Sequence, residues 1–576
     1  SSFFSLARTF SCCIVLVMNV TKDNFQKVAD QIEALLPSAA FVAFDEEMTG
    51  ISLPGQAPCM EDVPAQRYTK MRKVASQYNI IQIGLAIFHE KTLAVGAPEG
   101  SAAYEAHVFN FYVFPEAGSI NMEASGAHFN SAHGMDWNKW IKEGITYVQR
   151  EAAQQLQQSL LPNGATPAEG NKDTKGRMSL TKESDIKVTD DAIMALKSWL
   201  ADETKKDETE FEVIETNAYL RRFMHGALAA DFPELIVESR PTARRGWSKM
   251  FVLRLSDTQK AEKDAKVRLE KEKELMRKIG FRRVFKALAD ARKPLVGHAV
   301  MFDLLFALSH FEAPLPDSYP KFKELAHGLF PVLFDTQFLA KSEPFMFLPK
   351  TADSNHGSER EHRFGSMALG AVYKVFKDEA SAAKSAGKPT VEVSFAPGHD
   401  RYAPDCEAFH EAGYDAYITG YAFAHMAKQA LSPEFLPKLN ARSTMWKALY
   451  HFNLSGDDDL VNAGVHVHVR GLRGKNDQFL KGAFADVKAP GGESSGALKD
   501  TDLCTRWIDD DSAFVILPEA CKDALAPMLE KNGAEDHVGG LQFTSLEDWL
   551  SSKRKAVSAA AADAKEPAQK RARISA

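Results

Sequence analysis

Apolar residues recur at helical spacing from about Asn24 to Leu36 and then give way to AAFVAFDEE, an unbroken apolar run of strand length that ends in acids. Such a run predicts a buried strand whose C-terminal end meets solvent. YNIIQIGLAIF (78–88) and AHVFNFYVF (106–114), rich in β-branched and aromatic residues, predict two more strands, so the chain opens as a mixed α/β sheet. From about Gln154 to Val188 the pattern lapses, and NGATPAEGNKDTKGR has no hydrophobic period, which predicts a linker or surface insertion. Beyond it, DDAIMALKSWLAD and AYLRRFMHGALAADFP have helical spacing while ELIVES and KMFVLRL read as strands, giving a small α/β module. Asp257–Lys278 is almost all Lys, Glu, Ala and Arg, the pattern of a solvated helix laced with i,i+4 ion pairs. The α/β pattern resumes with the strand signal KPLVGH and the apolar helix AVMFDLLFALSHF, is interrupted around Thr351–Arg363 and Ser381–Asp400, and continues in the helix HEAGYDAYITGYAFAHMAKQAL. GVHVHVRGL and SAFVILP mark a final module, and SSKRKAVSAAAADAKEPAQKRARISA, without core-forming content, predicts a disordered basic tail.

The division that results is an extension at 1–17, a main domain in two parts at 18–150 and 279–435, a linker at 151–189, an inserted module at 190–255, a charged helix at 256–278, a last module at 436–535 and a tail at 536–576. A chain of 576 residues is long enough for several folded units, and 45% hydrophobic with 26% charged residues is ordinary globular usage. The net charge of −7 excludes a protein coated in basic residues but leaves room for a local basic patch that binds nucleic acid. Six scattered cysteines without a C-x-x-C pair indicate neither a zinc ribbon nor a disulfide scaffold, and fit a reducing compartment. The apolar run Cys12–Met18 is too short for a membrane span; it reads either as a weak signal h-region or, the reading we favour, as sequence upstream of a start at Met18, and no later stretch reaches spanning length, so a soluble protein is expected.

The chemistry lies in the acids. Asp45 and Glu47 are two apart on a strand, so both project from one face while Glu46 points to the other. Asp303 sits inside AVMFDLLFAL among apolar helical neighbours, where an unpaired carboxylate costs several kcal/mol, and Asp415 repeats the situation in GYDAYITGYAF. Four such acids suit two divalent ions bridged by carboxylates, an arrangement that stabilises both the attacking and the leaving oxygen of an in-line displacement at phosphorus. Magnesium prefers hard oxygen ligands and keeps several waters, so a few carboxylates suffice. His410, five residues before Asp415, can reach the same site and act as general base near neutrality.

FVAFDEEMTGIS (41–52), NFYVFP (110–115), KPLVGH with FDLLFALSHFEAPLP (293–316), LFDTQFLA (333–340), HEAGYDAYITG (410–420) and WIDDDSAFV (507–515) together resemble the poly(A)-specific ribonuclease family, deadenylases of the DEDD exonuclease superfamily. A His separated from the last Asp by four intervening residues marks the histidine subclass; the other subclass carries Tyr where this chain has Glu411. The resemblance implies an RNase H-like mixed sheet, two magnesium ions, and removal of adenylates from RNA poly(A) tails as 5′-AMP. It also implies a homodimer, and Asp45, Glu47, Asp303 and Asp415 as metal ligands with His410 beside them. It likens the inserted module to the single-stranded nucleic-acid-binding domain named for Arg-x-x-x-His, matched by Arg221 and His225, with Arg244, Arg245 and Trp247 placing an aromatic among cations nearby. The last module is likened to the family's RRM-like domain, with Trp507 at the position that stacks on the methylated 5′ cap. The family usually has Asn, Phe and Lys where this chain has Ala299, Met48 and Gln337; these positions bear on adenine preference, and Met48 is retained as an RNA-contact candidate. Basic clusters at Lys553–Lys555 and Lys570–Arg573 suggest partly nuclear, partly cytoplasmic residence without membrane attachment. The competing functions are a related 3′ exonuclease trimming small or non-coding RNA ends and an inactive RNA-binding scaffold.

Overall fold

The computed structural model describes residues 19–553 apart from 61, 163–179, 255, 344, 348–361, 404–405, 431–434, 462–463, 486, 488–502 and 531–539. The expectations for the 1–17 extension, for the centres of the 151–189 linker and the gap at 351–363, and for the tail beyond 553 therefore lie outside the described residues. β1 (Asn19–Val20) leads into the helix Phe25–Leu35, which buries Phe25, Ala29 and Ile32, the i, i+4, i+7 stripe that its periodicity predicts. β2 (Phe41–Met48), β3 (Ile80–Glu90) and β4 (Ala102–Tyr112) then form an antiparallel core in the order β2-β3-β4. Strand alternation sorts β2 onto two layers. Val42 and Phe44 pack with the helices Pro64–Gln77, Arg282–Ala291 and Met301–Ala307, whereas Phe41 and Ala43 pack with Leu369–Ser385 and Ala412–Ala430. Asp45 and Glu47 continue the second series and Glu46 the first.

Residues 153–278 form a compact unit of their own. The helices Glu183–Ala201 and Ala218–Asp231 cover an antiparallel sheet of β5 (Glu210–Asn217), β6 (Ile236–Pro241) and β7 (Trp247–Leu253) in the order β5-β7-β6. Its core is Ala192, Leu196, Trp199, Val213, Met224, Leu228, Met250 and Val252. The long helix Asp257–Ile279 follows, as its charge pattern predicts. β5 escaped the sequence reading because its apolar residues, Phe211, Val213 and Ile214, are diluted by three glutamates and broken by a register shift at Glu212/Ile214.

The first unit resumes with β8 (Leu295–Gly297), β9 (Leu333–Asp335), β10 (Val391–Phe395), β11 (Arg442–Thr444), β12 (Tyr450–Asn453) and β13 (Asp459–Leu460), giving the order β1-β4-β3-β2-β8-β9-β11-β12-β13 with β10 on the outer half of β4. β8 runs parallel to β2, β9 to β8 and β11 to β9, while β12 returns antiparallel to β11, so the sheet is mixed. The stretch Ser381–Asp400, expected as a polar gap, holds the end of the helix Leu369–Ser385 and β10, whose V-E-V-S-F alternation suits an edge strand with one exposed face. The expected linker likewise carries Arg150–Leu160 at one end and the start of Glu183–Ala201 at the other. A last sheet, β14 (Val465–Arg470), β15 (Cys504–Asp509), β16 (Ser512–Leu517) and β17 (Gln542–Ser545), has the antiparallel order β15-β16-β14-β17. β11 to β13 thus extend the large sheet, not the last one, and β17 lies within the stretch expected as tail, where residues 546–553 are helical and Trp549 is buried. One face of this last sheet packs Val467, Val469, Val515 and Leu517 on Leu480 and Leu525 of its own helices; the other meets Leu449 and Tyr450 of the main unit through Phe514 and Trp549. Among the described residues no helix is long and apolar enough to cross a membrane.

Candidate active site

Three features of the local sequence bring the acids together. The period of two on β2 sends Asp45 and Glu47 to one face, and opposite Asp45 across the ladder stands Gly84 of β3. Gly84 is where the helix Ala412–Ala430 rides against the sheet: a Cβ there would lie 1.8 Å from the Ala412 carbonyl oxygen. The missing side chain lets the helix N-terminus descend onto the strand, and Asp415, in its first turn, reaches the β2 carboxylates. Asp303 arrives from the other side of β2, in the first turn of Met301–Ala307, and its Oδ1 accepts the Glu46 backbone N–H at 3.2 Å. Both Asp303 and Asp415 are at helix N-terminal turns, where the helix dipole favours a carboxylate.

The ligand atoms of Glu47, His410 and Asp415 all lie within 4.8 Å of one another. Asp45 feels Asp415, Asp303 and Glu47, and burial together with those charges holds its carboxyl well above the usual range. Burial, then Asp415 and Asp303, do the same to Glu47. Burial pushes Asp303 up to about 8, and pushes Asp415 up to about 7 against the lowering pull of the His410 N–H that it accepts. None of the four forms an ion pair with a Lys or Arg among the described residues. A set of mutually repelling, poorly solvated carboxylates with hard oxygen donors is what divalent cations would neutralise.

His410 sits two residues before the helix at φ 68°, a left-handed conformation that the His410 N–H to Asp415 Oδ2 bond of 2.9 Å pins down. Its ring is exposed and lies edge-on to Phe129 and His133, with centroids 4.6 and 4.3 Å away. Partial desolvation against these neighbours and the nearby His133 lower its pKa, which favours the neutral imidazole, able to accept a proton. Phe129 and His133 belong to the helix Ala124–Ala132 and its C-cap; the sequence reading missed them, since GAHFNSAHG has little amphipathic signal to mark a helix.

Asp335, a further acid near the site, is fully buried and serves backbone and side-chain donors. It accepts the N–H groups of Ala299, Gln337 and Phe338 at Oδ1, and Ser443 Oγ and the Thr444 N–H at Oδ2. The turn at Ala299, itself left-handed at φ 55°, is thereby fixed ahead of Asp303. Met48 is buried and its carbonyl accepts from Asn130 Nδ2 at 3.1 Å. In the separate 153–278 unit, Arg221 donates to Ser248 Oγ at 2.6 Å and the His225 ring nitrogen is 2.8 Å from Ser239 Oγ, so both are tied to their own sheet. Arg244 and Arg245 are exposed, with the Arg244 guanidinium 3.8 Å above the Trp247 ring. Trp507 lines an open cleft of about 760 Å³ with Arg473, Lys475, Asp477 and Asp510, and its Nε1 donates to Asp477 Oδ1 at 2.7 Å.

Fold and site define the class, a mixed-sheet α/β protein with a carboxylate centre suited to divalent cations. The model of the CAF1 family ribonucleases matches residues 20–423, and the chain belongs to that family. It is 26% identical over 87% of its length to the zebrafish (Danio rerio) protein named poly(A)-specific ribonuclease PARN, covering 74% of it, and 29% identical over 77% of its length to mouse (Mus musculus) poly(A)-specific ribonuclease PNLDC1, covering 80%. A solved structure of S. pombe Pop2p with Mg2+ and Mn2+ bound is similar at 13% identity over 73% of this chain and 96% of that one, with a TM-score of 0.33, a likeness too slight to argue from.

Proposed function

We propose that this ribonuclease is a 3′-to-5′ exoribonuclease that shortens poly(A) tails and releases 5′-AMP. The observation that carries the reading is the convergence of Asp45, Glu47, Asp303 and Asp415, unneutralised by any described cation, with His410 beside them. The two relatives named above are both called poly(A)-specific ribonucleases, which supports the adenylate substrate.

The four carboxylates would hold two magnesium ions, which when bound supply charge stabilisation to the attacking and leaving oxygens at phosphorus. His410, neutral and exposed, takes the proton of the attacking water at its ring nitrogen. The His410 N–H to Asp415 bond holds the ring over the cluster, and Phe129 and His133 confine its side. Asp335 keeps the Ala299 turn, and with it Asp303, in register with β2. The main unit fits an RNase H-like domain, and the 153–278 and C-terminal sheets fit the Arg-x-x-x-His and RRM-like modules. The Arg244–Trp247 stack would take single-stranded RNA, and Trp507, its indole held by Asp477, would stack on a cap. A homodimer and partly nuclear residence complete the proposal, the latter resting on basic clusters that lie, apart from Lys553, outside the described residues.

The test is hydrolysis of 5′-labelled RNAs ending in A, U or C, with magnesium or with EDTA. A ladder shortening from the 3′ end, dependent on metal and fastest on A, is expected; no shortening of any RNA would overturn the reading, and equal rates on all three would remove its poly(A) part.

A further inference from the structure

Four groups able to carry positive charge meet where the last sheet packs on the main one. Lys341 ends the short helix Thr336–Ala340, and its ammonium is 3.3 Å from Gln337 Oε1, which also accepts Thr444 Oγ1 at 2.6 Å. Thr444 faces His451 across β11 and β12, and the His451 ring is edge-on to Phe338 at 4.9 Å. From the last sheet, Arg506 on β15 pairs with Phe514 of β16, and two residues along β16 Ile516 pairs with His466. Arg506 and His466 therefore share the face that carries Phe514 onto Leu449, next door to β12. Arg506 acts electrostatically on Lys341, His451 and His466 alike.

Among the described residues no acid is left free to neutralise the cluster. Neither Lys341 nor Arg506 forms an ion pair among the described residues. Asp335, which attracts Lys341 and His451, already accepts five hydrogen bonds, and Asp459 is taken by Arg442. His451 and His466 are more than nine-tenths buried, and each leaves a ring nitrogen, Nδ1 of His451 and Nε2 of His466, without a partner. Buried polar atoms are rarely left so in a resting fold, and two unpaired cations beside them would be driven apart unless something anionic bridged them. Lys341 and Arg506 are only half-buried, so such a ligand can enter from solvent.

We infer that Lys341, Arg506, His451 and His466 form a phosphodiester-binding site across the seam between the two sheets, gripping the RNA strand upstream of the nucleotide being removed. The inference rests on the exoribonuclease reading, which places the RNA 3′ end at the four acids. Asp335 ties the two places together, its carboxylate fixing both the Ala299 turn before Asp303 and the turn that leads to Lys341. Because half the grip comes from each sheet, substrate would also clamp the last module onto the catalytic one.

The experiment measures binding of a 12-nucleotide oligo(A) in EDTA, where no hydrolysis occurs, to the full chain and to Lys341→Gln and Arg506→Gln over a range of salt. Each variant should bind roughly ten-fold more weakly, with the slope of log K against log salt reduced by about 0.7, one single-strand phosphate. AMP and inorganic phosphate should bind the variants and wild type alike, which separates a strand contact from a product site. Lys341→Arg and Arg506→Lys should restore the slope. With magnesium, KM should rise and kcat stay unchanged. Unchanged slopes in both Gln variants would overturn the site, as would a loss shared by the Arg and Lys variants and accompanied by a lower Tm, which would mark packing. Absence of RNA hydrolysis by wild type would instead remove the reading beneath it, a result independent of the EDTA binding data.

Discussion

Of the residues around the cluster, the four acids and Glu46 differ in what their removal does. Asp45→Ala, Glu47→Ala, Asp303→Ala and Asp415→Ala should each abolish hydrolysis, because the charges act on shared ions, while His410→Ala should lose about 10²–10⁴-fold, the usual size of general-base help. Single-turnover rates on oligo(A), with circular dichroism to check the fold, decide this; wild-type turnover in any acid variant defeats the assignment. Glu46 is one residue away but on the other face, among Phe44, Ile83 and Phe281, with Oε2 unpartnered, so Glu46→Gln should keep activity within a few fold. The acids were legible in sequence because carboxylates inside apolar elements are costly and so conspicuous. Phe129 and His133 were not, since an exposed Phe and His in a short polar segment look like surface. Asp335 was visible only as part of LFDTQFLA; that it serves five backbone and side-chain donors could be learned only from the turn at Ala299. That turn carries a prediction of its own. Ala at φ 55° is strained by about 1 kcal/mol, and Asn tolerates this region better, so Ala299→Asn should raise stability by up to about that amount in urea unfolding; a loss would show that the methyl packs favourably enough to outweigh the strain.

At the scale of elements, the site depends on how near the helix Ala412–Ala430 comes to β3. Gly84→Ala would place a methyl inside the Ala412 carbonyl, so the helix must lift, carrying Asp415 and His410 away from Asp45 and Glu47. A displacement of about 1 Å at a positioned group costs about 10²-fold, and kcat on oligo(A) should fall at least that far while the far-UV spectrum stays that of a folded chain. Retention of full activity would mean that the glycine is incidental. The strands β2, β3 and β4 and the helices on either side were legible because buried central strands are unbroken apolar runs and buried helices keep a 3.6-residue period. β5, β10 and the Leu369–Ser385 helix were harder to see. β5 and β10 are half-exposed, with Glu and Ser on the outer face, and the helix buries only Val372 and Phe376 among its 17 residues, so its signal was lost in its alanines and lysines. β11 to β13 are two to four residues each; strands so short are defined by the neighbour they pair with, and no pattern in 436–460 says that the neighbour is β9.

For the whole molecule, the four acids couple catalysis to global stability. In the unfolded chain a carboxyl titrates near 4, while in the metal-free native state Asp415 is raised to about 7 and Asp303 to about 8, with Asp45 and Glu47 shifted the same way. Between those limits the native state holds more protons than the unfolded one, so stability is fully present below the unfolded pKa and is lost as pH rises through the folded values. The metal-free protein should therefore melt at a lower temperature at pH 8 than at pH 5.5. Magnesium binds the ionised acids and the native state alone, so it should raise Tm more at pH 8 than at pH 5.5, where protons compete for the same oxygens. Asp303→Asn separates the two effects. It removes one of the repelling charges, so in EDTA at pH 8 it should melt higher than wild type, and its Tm should vary less between the two pH values, although it hydrolyses nothing. Scanning calorimetry of both proteins at the two pH values, in EDTA and in millimolar magnesium, measures all of this. A wild-type Tm in EDTA that is flat or rising from pH 5.5 to 8 would show that the acids are not poised as described, and an Asp303→Asn protein melting below wild type at pH 8 would show that Asp303 holds the fold through its bond to the Glu46 N–H more than it strains it.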